Sequence, residues 1–305
     1  MATGREPRVS IGLPVYNGER YLGEALDALL AQTFKDFELI LCDNASSDHT
    51  SDIARQYAAQ DARIRYVRHE VNVGAARNYN RAFRLSRGEY FKWAAADDRA
   101  APTTLARCVE VLDRDPAVVL AYPKTTLIDE WGRVVTSYED GLHLVSPWAS
   151  VRFRQLLERL RLCNALYGVL RAAVLRRTAL LGVYVGSDIV LQAELSLHGT
   201  FWEVPEPLFC RRLHPGASSA MSEAERAAFY DPRSGQRIAL REWRHLWELG
   251  RAVRRAPLGM REKARLGVYL VRRAVWSRNR LLGEVAGAAR QLMEVVGGRH
   301  GSLHA

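Results

Sequence analysis

Two periodicities alternate along the first 123 residues. Val9–Val15, "FELILCD", "IRYVRH", "EYFKWA" and "AVVLAYP" are short, nearly continuous apolar runs, the pattern of strands buried on both faces. Between them, "GERYLGEALDALLAQTF" places Leu22, Ala25, Leu26, Leu29 and Leu30 at helical spacing. "NASSDHTSDIARQYAAQ", "NVGAARNYNRAFRLS" and "PTTLARCVEVLDRD" read as further helices, the second with Gly74 near its start. Strands alternating with helices predict an α/β, Rossmann-like, doubly wound and mostly parallel sheet with helices on both faces.

After Pro123 the rhythm changes. "TTLIDEWGRVV" predicts a hairpin around Asp129–Gly132, and residues 149–181 read as mainly helical. "GSDIVLQAELSLHGT" reads as a helix with Ser187 and Asp188 in its first turn. "FWEVPEPLFCRRLHPGASS" reads as a strand-rich run ending in a loop with His214. From about Gln236 the chain is helical and basic. The expected division is a main unit over residues 1–220, in halves 8–123 and 124–220, followed by a helical appendage over 221–305.

Composition narrows the class. Of the 305 residues 48% are hydrophobic and 26% charged, which fits a globular chain and not a disordered one. The net charge of +10 is local: Arg237–Arg280 holds 13 Lys and Arg against 3 Asp and Glu, so the rest is balanced. Cys42, Cys108, Cys163 and Cys210 form no CxxC pair and no dense pattern, which argues against a zinc site, a redox motif or a disulfide scaffold. No apolar run is long enough to cross a bilayer, and "MATGREPRVS" has no signal-peptide apolar region, so a cytoplasmic protein is expected.

In open parallel sheets, ligands bind beyond the carboxyl ends of the strands. Those ends carry Pro14, Tyr16 and Asn17, then Asp43 and Asn44, the loop before Asn72, and Asp97 with Asp98. Asn, Asp and Gly are ordinary turn residues, so one such cluster means little. Four converging on one edge point to a polar ligand. Adjacent carboxylates repel, and burying them unpaired is costly, so a positive partner is expected opposite Asp97 and Asp98: an arginine, a helix N-terminus or a metal ion.

Six segments occur in a telling order: "PVYNGERYLGEALDALLAQTF", "ELILCDNASSDHT", "NVGAARNYN", "AADD", "GSD" before "AELSLHG", and "EVPEPLFCRRLH". Together they make residues 8–220 resemble a family-2 glycosyltransferase of the GT-A fold. The resemblance implies a metal-dependent, inverting hexosyl transfer from a nucleotide-diphosphate sugar, a UDP-sugar foremost, to an acceptor hydroxyl. Residues 8–123 would then hold the nucleotide sugar and 124–220 the acceptor. It makes Mn²⁺ or Mg²⁺ the cofactor, with Asp97 as metal ligand beside Ala96 and Asp98. His214 would reach the metal or the diphosphate. Asp43, with Asn44, would read the nucleobase edge, and Pro14, Tyr16 and Asn17 would line the same pocket. In the "NxGxxRN" spacing, Asn72 precedes Gly74, which would let backbone approach the ligand, and Arg77, which would meet nucleoside or phosphate. Asp188 would be the catalytic base. One position departs from the pattern: Ala95 stands where the family carries the first aspartate of D-x-D, the one that approaches the ribose.

Plainer roles stay open for each residue. Asp97 and Asp188 suit helix caps, Asp43 an Asx turn, Tyr16 a packing role, and Arg77 a surface charge. Arg211 and Arg212 read either as phosphate contacts or as a solvated pair on an edge strand. The acceptor class is open between carbohydrate, lipid-linked and small-molecule compounds. Residues 237–280, basic and bearing Trp243, Trp247 and Trp276, suit an anionic membrane surface on the inner face of the cytoplasmic membrane, or equally a cap on the main unit. No nucleic acid is expected, since no binding module for one is recognisable. The alternatives to transfer are a nucleotidyltransferase, disfavoured because "LPVYNGERY" lacks a glycine-rich phosphate loop with lysine, and a degenerate relative that binds without catalysis.

Overall fold

A computed structural model describes residues 6–233 and 240–300. Gln236 and Arg237, where the basic segment is expected to begin, lie outside the described residues. The elements run β1 (Val9–Val15), α1 (Glu19–Leu30), β2 (Phe37–Asp43), α2 (Thr50–Gln60), β3 (Ile64–Arg68), α3 (Ala75–Arg84) and β4 (Tyr90–Trp93). Then come β5 (Arg99–Ala100), α4 (Thr104–Arg114), β6 (Val118–Ile128), β7 (Val134–Tyr138) and α5 (Ala149–Arg159). A 3-10 turn (Asn164–Tyr167) leads to β8 (Val169–Arg171), α6 (Ala172–Leu175), α7 (Ser187–His198) and β9 (Thr200–Arg212). Four helices close the chain: α8 (Glu223–Tyr230), α9 (Arg241–Arg255), α10 (Met260–Trp276) and α11 (Arg278–His300).

The described strands form one sheet in the order β3-β2-β1-β4-β8-β6-β9-β5, with β7 on β6. Pairing is parallel through β3, β2, β1 and β4, and again between β6 and β9. β8 runs antiparallel to both its neighbours. The apolar runs are continuous because both faces are covered. Val9, Ile11, Leu13 and Val15 pack with Leu22, Leu26 and Leu29 of α1 and with Leu105 and Leu112 of α4. On the other face Phe91 and Trp93 pack with Phe83, Phe153, Leu191 and Leu195. This is the doubly wound α/β arrangement that the alternating pattern predicts.

Two expectations need correction. Residues 149–181 are mainly α5, one 3-10 turn and α6, but they also hold a strand that their pattern does not predict: β8 lies in the middle of the sheet. Three residues show no period, and their strand identity comes from pairing with Tyr90 and Leu120 far away in sequence. Likewise, Arg212 is not on a solvated edge: β9 is flanked by β6 and β5, and Arg212 is buried.

The appendage is in close contact with the body. Leu249, Ala252 and Val253 of α9 and Leu266 of α10 belong to the same core cluster as Trp93 and Phe153. Arg255 donates to the buried Glu194 of α7 through Nε at 2.8 Å and Nη2 at 3.0 Å. Trp243, Trp247 and Trp276 face outward.

Candidate active site

β1, β2 and β4 all end at the same edge of the sheet, and a cavity of about 750 Å³ opens there. Pro14, Tyr16 and Asn17 line it from the end of β1, Asn44 and Asn72 from the next two loops, and Ala95, Ala96, Asp97 and Asp98 from the end of β4. Arg211, Arg212 and His214 close it from the end of β9, and Tyr79 and Tyr167 form part of its wall. The sequence-picked residues Asp43, Gly74, Arg77 and Asp188 lie outside its lining.

The loops are tied to one another. Asn44 Nδ2 donates to Asn72 Oδ1 at 2.8 Å, while Val73 N–H donates to Asn44 Oδ1 at 2.9 Å. Ser47 N–H donates to Asn17 Oδ1 at 2.9 Å. Asn17 and Ala45 both have positive φ, 49° and 62°, and strain of this kind gathers at ligand sites. Beneath the cavity, Asp43 is fully buried. It accepts from Ser46 N–H at 2.8 Å, Ser51 Oγ at 2.7 Å and Tyr66 OH at 2.8 Å, and Arg68 stands 3.3 Å away. Burial alone would raise its carboxyl; the bonds from Ser51, Ser46 and Tyr66 outweigh that and hold it below its ordinary value. Its oxygens are occupied in shaping the 44–51 loop.

The acidic loop divides its two carboxylates. Asp97 Oδ2 meets His214 Nε2 at 3.0 Å on the cavity wall, and the His214 ring packs on Tyr21 at 4.9 Å. Asp98 Oδ1 instead accepts the backbone N–H of Arg212 at 2.8 Å. Burial first, and then the charge of Asp97, raise the Asp98 carboxyl. The Arg212 guanidinium donates to the Asp97 carbonyl at 2.8 Å, pairs with Glu24 and covers Tyr21 at 4.5 Å. It thus fastens the acidic loop from behind. The Arg212 guanidinium is thus spent on the Asp97 carbonyl and on Glu24 and meets neither carboxylate of the pair, while Asp97 Oδ2 faces His214.

Tyr79 connects this wall to Asp188. Its phenol is pushed up to about 12, by burial first and then by the charges of Asp97, Asp98 and Asp188, against a lowering bond from Tyr167. Tyr79 OH and Tyr167 OH lie 3.2 Å apart. Asp188 sits in the first turn of α7, where Gly186 and not Asp188 takes the cap position. The half-buried Cys163 thiol is raised by burial first and then by the charge of Asp188. Tyr230 of α8 is raised by burial and then by Asp188 in the same way.

Sequence reasoning gives α8 no part in the site, yet Met221, Glu225, Ala228, Phe229 and Pro232 line the cavity. This accounts for two residues assigned to the ligand. A Cβ on Gly74, at φ +86°, would lie 2.4 Å from the Tyr230 carbonyl, so the backbone that approaches Gly74 belongs to α8. Arg77 Nη1 reaches Asp231 at 3.2 Å and the Val73 carbonyl at 3.0 Å, tying α3 to the end of α8. The buried Lys92 was also unassigned: burial lowers its ammonium to about 8, and it donates to the Tyr167 carbonyl. A lysine inside an apolar run gives no local sign of such a partner.

Comparison with known proteins fits this geometry. The sequence profile described as "Glycosyl transferase family 2" matches residues 10–182. An uncharacterised glycosyltransferase of Rickettsia typhi is 37% identical over 125 residues, 41% of this chain and 38% of the relative. The chain spans less than half the length of the first curated relatives it matches. Among solved structures, S. aureus TarS 1–349 in complex with UDP superposes with a TM-score of 0.63 at 19% identity, over 89% of this chain and 73% of that one. The mannosyltransferase PcManGT from Pyrobaculum calidifontis, in complex with GDP-Man and Mn²⁺, gives 0.52 at 18% identity, over 94% and 87%. At these identities the likeness establishes the shared fold.

Proposed function

We infer the activity from one premise: the chain belongs to glycosyl transferase family 2. The reading is transfer of a sugar from a nucleoside-diphosphate sugar to an acceptor hydroxyl. The observation that carries it is the pairing of Asp97 and His214 at 3.0 Å on the wall of a polar cavity at the carboxyl ends of the strands. The bound ligands of the TarS and PcManGT structures, UDP and GDP-Man with Mn²⁺, favour the same donor class.

The donor set suits a divalent cation. One carboxylate oxygen and one imidazole nitrogen converge there, and cations of this kind complete their shell with substrate phosphates and water. Among the described residues no group of three or more His, Cys, Asp or Glu side chains is gathered to hold a metal ion. A bound Mn²⁺ or Mg²⁺ would supply neutralisation of the leaving diphosphate.

The chain's own residues have separable roles. Asn44 and Asn72, bonded to each other, and Asn17, held by Ser46 and Ser47, shape the nucleoside end. Tyr16, half exposed at that end, is placed to stack on a base. Arg211 lines the far wall, held by Asn164 Oδ1 at 2.7 Å, where it can meet a phosphate. Asp188 takes the proton of the attacking hydroxyl, and a single in-line displacement inverts the anomeric centre.

Calorimetric titration of UDP, GDP and dTDP, each with Mn²⁺ and with EDTA, tests the donor site. Metal-dependent binding of one nucleotide, weakened in Asp97→Ala, is the expected result. Asp188→Asn keeps donor binding and loses transfer. Failure of every nucleotide to bind refutes the reading, and binding without transfer or hydrolysis of any donor sugar assigns the chain to a non-catalytic relative.

A further inference from the structure

Helix α10 has two apolar faces, and only one is covered. Leu266 is buried in the core, and Tyr269 and Leu270 pack against it on the same side. At about 100° per residue, Met260, Ala264, Val268, Val271 and Val275 all fall within an arc of about 80° opposite Leu266. Met260, Val268, Val271 and Val275 are each more than half exposed. A helix lying on a protein body ordinarily turns polar residues to water on this side. Here that side is valine and methionine.

Charge identifies what fits it. Arg261, Arg265 and Arg272 follow one edge of the stripe, with Trp276 beyond them. Arg261 and Arg272 have no acidic partner among the described residues. The single acidic residue of α10, Glu262, accepts from Ser150 N–H at 2.8 Å and pairs with Arg265 at 2.9 Å, so Arg261 and Arg272 carry the uncompensated charge of this edge. Beside the stripe, a cleft of about 290 Å³ between α5 and α10 is lined by Arg154, Arg265, Arg272 and Trp276, three arginines against the one carboxylate of Glu158, which stands 3.9 Å from Arg154. A second copy of the chain meeting this face about a two-fold axis would set arginines against arginines, which is repulsive. A bilayer with acidic headgroups has an apolar interior for the stripe and phosphates for the arginines. No described helix is long and apolar enough to cross a membrane, so α10 would lie in the interface.

We propose that the outer face of α10 binds the surface of an anionic phospholipid bilayer, with the valine stripe in the acyl boundary and the α5–α10 cleft on a headgroup phosphate. The test is co-sedimentation of the full chain with phosphatidylcholine vesicles, with and without phosphatidylglycerol, at low and high salt. The chain should pellet only with phosphatidylglycerol present, and less at high salt. Arg265→Glu with Arg272→Glu should weaken partitioning by about 30-fold or more, from the attraction of two arginines to such a surface. Val271→Asp with Val275→Asp should weaken it by about tenfold or more. These positions face solvent, so an unchanged melting temperature certifies folding. Val135→Asp, an exposed valine on β7, should bind like the parent chain. Equal binding to both vesicle types, binding to neither, or unchanged binding of the valine pair would overturn the proposal. A concentration-dependent dimer that Val271→Asp abolishes would also overturn it, giving the face to a second copy.

Discussion

Arg255→Leu tests whether the C-terminal helices are structural parts of the α/β body. Glu194 lies on α7 with 1% of its side chain exposed, and Arg255, 27% exposed, grips it with two nitrogens at 2.8 and 3.0 Å. The remaining partner is Ala179 N–H at 3.1 Å. Leucine keeps most of the packed volume, so the loss measured is chiefly that of the charge partner. Stranding a buried carboxylate costs about 3–5 kcal/mol, and the water that reaches the rim of Arg255 puts this pair near the lower value, about 3 kcal/mol. At about 1.5 °C per kcal/mol for a chain of 305 residues, the melting temperature should fall by roughly 5 °C. Urea denaturation at neutral pH gives the free energy directly. Adding Glu194→Gln to Arg255→Leu should recover much of the loss, because a neutral amide does not need the guanidinium. α7 also carries Asp188, so transfer activity should fall with stability. A loss below about 1 kcal/mol, or no recovery in the double variant, would show that α9 docks without this pair.

Two further perturbations probe the contact between α3 and α8 and a buried acid. Gly74→Ala forces an ordinary residue into φ +86°, ψ 156° and against the Tyr230 carbonyl, which should cost about 1–3 kcal/mol and speed proteolysis within residues 214–233; unchanged melting and cleavage would refute the contact with α8. Asp140 is buried, and burial pushes its carboxyl up to about 7. Its folded value exceeds the ordinary ~3.9, so the cost of ionising it is absent below about pH 4 and grows as pH rises toward 7. Asp140→Asn should therefore stabilise the protein by about 2–4 kcal/mol at pH 8, with the gain shrinking as pH falls; a gain independent of pH in thermal melts would refute the burial argument.

β1, β2 and β4 were legible because both faces are covered and each carries its own apolar run, whereas the two residues of β5 carry none. β8 was not, since "VLR" becomes a strand only between Tyr90 and Leu120. At the site, the residues at strand ends that line the cavity could be picked from turn chemistry and motif order. What the sequence concealed was partnership across long separations. Gly74 and Arg77 have the right spacing for a ligand, but their neighbours are Tyr230 and Asp231, more than 150 positions away. Arg212 reads as a surface charge until the fold places it behind Asp97.

The place of β8 also governs how the chain can fold during synthesis. β1, β2, β3 and β4 can pair as soon as they leave the ribosome, since their partners lie within the first 93 residues. β4 then offers an open edge until Val169–Arg171 arrives, and the parallel partner of β6 comes later still, with Thr200–Arg212. Long-range pairing of this kind is slow, and an unpaired edge carrying Phe91 and Trp93 is prone to associate with other chains. Three late residues cover the β4 edge, and the sheet is complete only when β9 has joined β6 to β5.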